Sequence, residues 1–467
     1  MTVRALVCFA CLGLAAAAAP AGAASDYAFA TGTDFLGPGC VSWVALDAPR
    51  PAHPCAATVS SDPVARWAAG RLYVVNRYGA DNVQVLDPAA GFATVLQFSV
   101  GNGANPQDIL VVAPDKAYVS LLNAPYLLVV DPRTGAPLDS ISLGDFADGD
   151  GVPEAHRMLA HGGRLFVTLQ RLTDFAPSDH SLVAVIDATA DTVLDVDPGT
   201  AGVQCIRLGG TNPNSDLVFD ALRGVLLVGE TGAYGVADGG VEAIDPSTLR
   251  ALGFETTEAQ LGGEVGDVAV GPSGTAFAVV SGFSFSDDAR LVRYDRATGA
   301  PADTLCTVSG PSLADIEVNA HGELWACDRS LFAPGLRVFD AGTGVALAGP
   351  IDVGAPPFDV GFGEGPVGPD GGAEGLALLG VGPNPARATV TVRYAVGDGA
   401  ALPVRLGVYD VRGARVGRVE GGTPGAGAHE ISWGAAGGGR VPRPGVYFFR
   451  LERGAEDVGG RFVLLSR

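Results

Sequence analysis

Six side chains able to do acid–base or metal-binding chemistry recur at one place in a repeated pattern. Five of them stand ten residues before an aromatic residue or leucine that opens a β-type run: Asp108 before Tyr118, His156 before Phe166, Asp216 before Leu226, Asp267 before Phe277, and Asp315 before Trp325. Asp359, in PFDVGF, is the sixth and lacks that later partner, while Pro63 before Tyr73 fills a seventh place. Five carboxylates and an imidazole gathered at one locus repel one another unless they are protonated or neutralised by a cation, and oxygen donors suit Ca²⁺. Such an ion would be structural, or would polarise a substrate carbonyl. The other reading is that each carboxylate accepts backbone N–H groups and holds neighbouring units in register.

A second set of candidate calcium ligands is Asp145, Asp148, Asp150 and Glu154, in the Gly-rich stretch DFADGDGVPE. Its spacing departs from the DxDxDG loop, so an ordinary solvated turn is the alternative. Nucleophile chemistry has little support. There is no GxSxG elbow, no HExxH, no GxxxxGK[ST] and no strand–loop–helix context for a dinucleotide. Asp179-His180-Ser181 are consecutive, and chain neighbours do not face one another as a triad must.

What positions the six residues is an internal repeat. A short β-run ending in Asp occurs seven times: WVALD at Asp47, VQVLD at Asp87, LLVVD at Asp131, VAVID at Asp187, VEAID at Asp245, LVRYD at Asp295 and LRVFD at Asp340. Turns such as DPRTG, DRATG and DAGTG follow, with Gly where φ must be positive. Four short antiparallel strands per unit, seven times over, predict a β-propeller, which must close its first blade onto its last. The N-terminal unit lacks a strand and the last unit has one to spare, so residues 358–362 should complete the blade of residues 27–60. The six residues would then begin the innermost strands at the channel mouth. The loops between second and third strands lie on that same face. They are long, and bring Tyr78, Phe175, Tyr234, Phe283 and Phe332 to it, an arrangement suited to a ligand.

YVVN at 73–76, VQVLD at 83–87 and NPQDILVVAPDKAYVS at 105–120 resemble the YVTN-repeat seven-bladed β-propellers, over residues 27–362. The resemblance implies an extracellular or periplasmic binding protein, with a few propeller relatives being lactonases or quinoproteins.

The ends of the chain give its address. Arg4, the apolar run Ala5 to Ala19, and Pro20-Ala21-Gly22-Ala23-Ala24 read as a signal peptide over residues 1–24. No later run approaches the roughly 20 apolar residues of a membrane span. Residues 363–376 read as a Gly/Pro linker, and 377–467 as a small β-sandwich. Within it GPNPARATVTVRY, VYDVRGARV, GAHEISW and PGVYFFRLERG resemble the FlgD-type Ig-like domain and the C-terminal sorting domains of type IX secretion. That resemblance implies contact with outer-membrane export machinery. Of the cysteines outside the leader, Cys40 and Cys55 are symmetric about Ala48-Pro49 and should face each other as a disulfide; pairing of Cys306 with Cys327 stays open, and Cys205 reads as a buried thiol.

A formal net charge of −21, with Lys116 the single lysine, argues against nucleic acid and anionic membranes as partners. The expectation is an all-β protein, a seven-bladed β-propeller followed by a small Ig-like β-sandwich. It would be secreted or held at a bacterial cell surface, non-catalytic, and bind a protein or small ligand at the long-loop face. The rivals are a Ca²⁺-assisted lactonase-type hydrolase and a structural surface-coat component.

Overall fold

A computed structural model describes residues 27–363 and most of 376–465, apart from short stretches at 383–385, 388, 397–401, 426, 435–442 and 455. The expected signal peptide and nearly all of the expected linker lie outside the described residues.

Seven antiparallel sheets of residues 27–363 radiate as propeller blades, and a two-stranded hairpin of Leu172–Thr173 and Ala176–Pro177 lies in a blade-three loop. Their innermost strands, blades one to seven in order, are Pro63–Ala68, Pro106–Ala113, Ala155–His161, Val218–Asp220, Glu264–Val270, Leu313–Val318 and Pro357–Gly363. Blade three departs from the simple four-strand pattern. Its third strand, Leu182–Asp187, pairs with two short outer pieces, Thr192–Val193 and Ile206–Arg207. This accounts for the wide spacing between its Asp187 and Asp245.

The second strand of each blade is apolar on both faces because each face meets a different neighbour. In LYVV, Leu72 and Val74 pack with Phe29 and Val41 of blade seven, while Tyr73 and Val75 pack with Ile109 and Val119 of blade two. Seven such clusters, each shared by two adjacent blades, form the core of the ring among the described residues. Hence a blade has no core of its own, and the ring gains its burial only by closing.

Closure is made by the C-terminal strand of the ring. Pro357–Gly363 pairs antiparallel with Tyr27–Gly32, opposing Tyr27 to Gly363 and Thr31 to Asp359, so blade seven contains both ends of the propeller. The N-terminal strand is thereby paired on both sides and presents no free edge.

The aspartates that close the third strands act on their own turns. Asp187, Asp245, Asp295 and Asp340 each accept the backbone N–H groups two and three residues on, and Asp87 and Asp131 the one two residues on. The repeat visible in the sequence is therefore a turn device.

Cys40 and Cys55 are bonded, with Cα atoms 4.9 Å apart. The bond crosses the hairpin differently from the simple symmetric pairing: Cys40 stands opposite Thr58, and Cys55 lies in a bulge where its N–H binds the Ser42 hydroxyl. Closing a loop of this length stabilises the fold by about 3 kcal/mol. Cys205, Cys306 and Cys327 are free thiols, with burial pushing Cys205 up to about 12 and Cys306 up to about 11.

Residues 376–465 form a three-stranded sheet of Leu376–Gly382, Thr389–Val396 and Gly427–Gly434. A four-stranded sheet is ordered Arg415–Glu420, Val404–Asp410, Gly445–Arg453, Glu456–Leu464. Trp433, Tyr447 and Phe462 meet at ring separations below 6 Å in their shared core. Asp410 accepts the N–H groups of Arg412 and Ala414, with Gly413 at φ 78°, so both are turn formers.

Candidate functional site

The six recurring residues do converge around the channel, and what they touch answers the question of their charge. Asp359 accepts the Ala65 N–H at 2.8 Å, Asp108 that of Met158 at 3.0 Å, Asp267 that of Ile316 at 2.8 Å, and Asp315 that of Val360 at 2.7 Å. In every case the donor belongs to the innermost strand of the next blade. Asp267 also takes the Asp216 N–H at 3.3 Å, and so joins three blades. Hydroxyls on second strands, Thr31 and Ser120, and Thr231 just past the end of one, donate to the next blade's innermost carbonyls: Thr31 to Pro63, Ser120 to His156, and Thr231 to Val265.

One half of the ring is neutralised by arginine. Arg66, on the blade that has Pro63 in place of an acid, reaches Asp108 at 2.8 Å, Asp359 at 2.9 Å and Asp216 at 3.1 Å. Arg157 meets the other oxygen of Asp216 at 2.8 Å. Burial opposes ionisation of Asp216, and the two arginines overcome it and hold the carboxyl below its ordinary range.

In the other half burial favours the protonated carboxyls. Burial, aided by the Asp216 charge, pushes Asp267 up to about 7, and burial beside Asp216 and Asp267 pushes Glu317 up to about 8. Asp315 rises far above its usual value by burial and by the neighbouring charge of Asp267. His156 is 4% exposed and is kept neutral by burial and by Arg157. Arginine thus offsets charge in one half of the ring and burial favours protonated carboxyls in the other, and burial also raises Asp108 against the pull of Arg66.

Asp148, Asp150 and Glu154 lie near enough for the two aspartate charges to add to the upward push on Glu154, and hydrogen bonds from protein groups occupy all three. Asp148 accepts from the hydroxyls of Thr173 and Ser178, Asp150 from the Val152 N–H, and Glu154 from the Leu172 N–H at 2.8 Å. The bonds of Asp148 and Glu154 tie the loop to residues 172–178, and burial pushes Glu154 up to about 8. Among the described residues no three His, Cys, Asp or Glu side chains are grouped as metal ligands.

The loop face differs in character. Phe35, Tyr78, Phe175, Tyr234, Phe285 and Phe332 are the exposed aromatic residues of the described propeller, and every one lies between the second and third strands of its blade. Phe175 is 84% exposed and Phe332 94%. Six of the seven blades thus present an aromatic ring to solvent on one side of the disc. Phe283 is instead half-buried, in the wall of an open cleft of about 220 Å³ between blades four and five. Tyr234, Phe285, Glu264, Asn214, Thr231 and Pro311 share that wall.

Sequence reasoning missed Arg66, Arg157, Phe35, Phe285 and Glu264. Arg66 carried one signal: an arginine three residues after the blade position where the acid is missing.

No family model matches the chain, and no curated protein matches it. Solved structures similar to it include the Dos1 propeller (TM-score 0.44, 12% identity, 79% of this chain and 90% of that one). Apo AztD from Citrobacter koseri is another (0.40, 10%, 89% and 100%), and a third is the dihydro-heme d1 dehydrogenase NirN with DHE (0.41, 13%, 86% and 74%).

Proposed function

We propose that this protein is an exported β-propeller that binds a partner through its long-loop face. The observation that carries the reading is the placement of every exposed aromatic ring of the described propeller in second-to-third-strand loops. Isolated apolar residues on a surface need no explanation, but six aromatics on one side of a disc mark an interaction face, because rings contribute large contact area at low entropic cost.

The channel carboxylates favour a scaffold role over a catalytic one, since their oxygens serve the next blade and two arginines. The leader-like residues 1–24 and the resemblance of the tail to FlgD-type and type IX sorting domains support export and surface anchoring. The disulfide suits an oxidising compartment. Among the described residues no helix is long and apolar enough to cross a membrane.

The test compares two triple variants of the full chain. Tyr78, Phe175 and Phe332 to serine should reduce partner retained from the medium and envelope of the producing cells by about tenfold or more. Leu138, Leu252 and Leu347 to serine, exposed on outer strands, should leave it unchanged. Equal retention by both variants contradicts a loop-face partner site.

A further inference from the structure

We propose that the cleft between blades four and five takes an organic ammonium head, held among Tyr234, Phe283 and Phe285 with Glu264 as its counter-charge. The inference rests on the loop-face reading and names the chemistry recognised there.

Size, charge and surface chemistry each constrain the occupant. A volume of about 220 Å³ lies below the roughly 300–1,000 Å³ of pockets that enclose a drug-sized molecule, so it suits a headgroup. The wall holds three aromatic rings and one charged side chain, Glu264, with no arginine, lysine or histidine. An anion would meet a carboxylate and no counter-ion. A cation would meet ring faces, whose quadrupoles attract it, and a carboxylate that adds to the attraction.

The surroundings deepen the negative potential. Asp238 accepts the Ala233 N–H at 3.0 Å and Asp287 the Ser284 N–H at 3.1 Å, so one carboxylate braces each loop that carries the rings. Glu264 accepts the Gly235 N–H, which fixes its carboxylate beside Tyr234. The cleft is therefore braced by hydrogen bonds, while Phe285, 86% exposed, remains accessible to a ligand.

Isothermal titration of the full-length protein with three probes tests this: choline, n-butylammonium and the neutral choline isostere 3,3-dimethylbutan-1-ol. A cation should bind at millimolar concentration, at least about tenfold more tightly than the alcohol. Preference for choline indicates a quaternary ammonium ligand; preference for n-butylammonium indicates a lysine side chain. Glu264→Gln keeps an acceptor oxygen for the Gly235 N–H and removes only the charge, and should weaken cation binding about tenfold, as should Phe285→Ala. Leu138→Ala, exposed on the outer strand of another blade, should change nothing. If the alcohol binds as tightly as the cations, the ammonium assignment fails and the loop-face reading stands. If no probe binds while the serine variants still lose their partner, the ammonium assignment again fails alone. If no probe binds and partner retention is also unaffected, both fail.

Discussion

Replacing Arg66 by methionine should destabilise the propeller by about 3–5 kcal/mol, the cost of breaking a buried ion pair by removing one partner. Among the described residues Arg66 alone is paired with all of Asp108, Asp216 and Asp359, the first and last of which are 2% and 3% exposed. Methionine fills much of the same volume, so the loss is of charge compensation and hydrogen bonding. The three acids sit on blades two, four and seven, and all of them feel the change. The midpoint of denaturant unfolding should fall sharply at neutral pH. It should recover in part near pH 4, where orphaned carboxyls take up protons. A loss below about 1 kcal/mol would show that the acids are compensated in another way.

The second large effect is an unusual pH dependence. Asp267, Asp315 and Glu317 in the channel, and Glu154, Glu230 and Glu258 elsewhere, all have carboxyls pushed upward chiefly by burial. Raised groups bind more protons in the folded chain than in the unfolded one. Their contribution is fully present below about pH 4 and is lost as pH rises through about 7 to 8. The depressed acids act in another window: Asp131, held at about 2 by Arg133, and the turn residues Asp187, Asp295 and Asp340 withdraw support only as pH falls below 4. Between pH 4 and 8 stability should therefore decline, each tenfold difference in proton affinity between folded and unfolded chain being worth roughly 1.4 kcal/mol. Melting temperatures at pH 5 should exceed those at pH 8 by several degrees, with Asp267→Asn flattening the slope. A melting temperature that rises across this range would refute the protonated half of the ring.

Most of the architecture was legible because it is written locally. Asp before a turn, repeated seven times, marks strand ends, and the unpaired strand at each end of the repeat points to blade seven. The register role of Asp108 and its counterparts was legible as one of two readings, since a repeated acid at a strand start is compatible with either. The arginines that compensate these acids are not local. Arg66 meets Asp216 across 150 residues of chain and Asp359 across 293, and no spacing rule connects them. The Cys40–Cys55 bond was legible, but its bulge was not, because a single residue with positive φ at Cys55 shifts the pairing. Among the aromatics, Phe283 and Phe285 alternate along one loop, and only the fold determines which is buried.

The most direct test of a scaffold role for the carboxylate ring is the melting temperature of the purified protein before and after chelation and on restoring Ca²⁺, with metal content measured alongside. Since Asp108, Asp216, Asp267, Asp315 and Asp359 bind backbone N–H groups and arginines, chelation should leave the melting temperature unchanged and no stoichiometric divalent ion should be found. A bound ion at one equivalent, whose removal lowers the melting temperature and whose return restores it, would contradict the account and make the channel mouth a metal site.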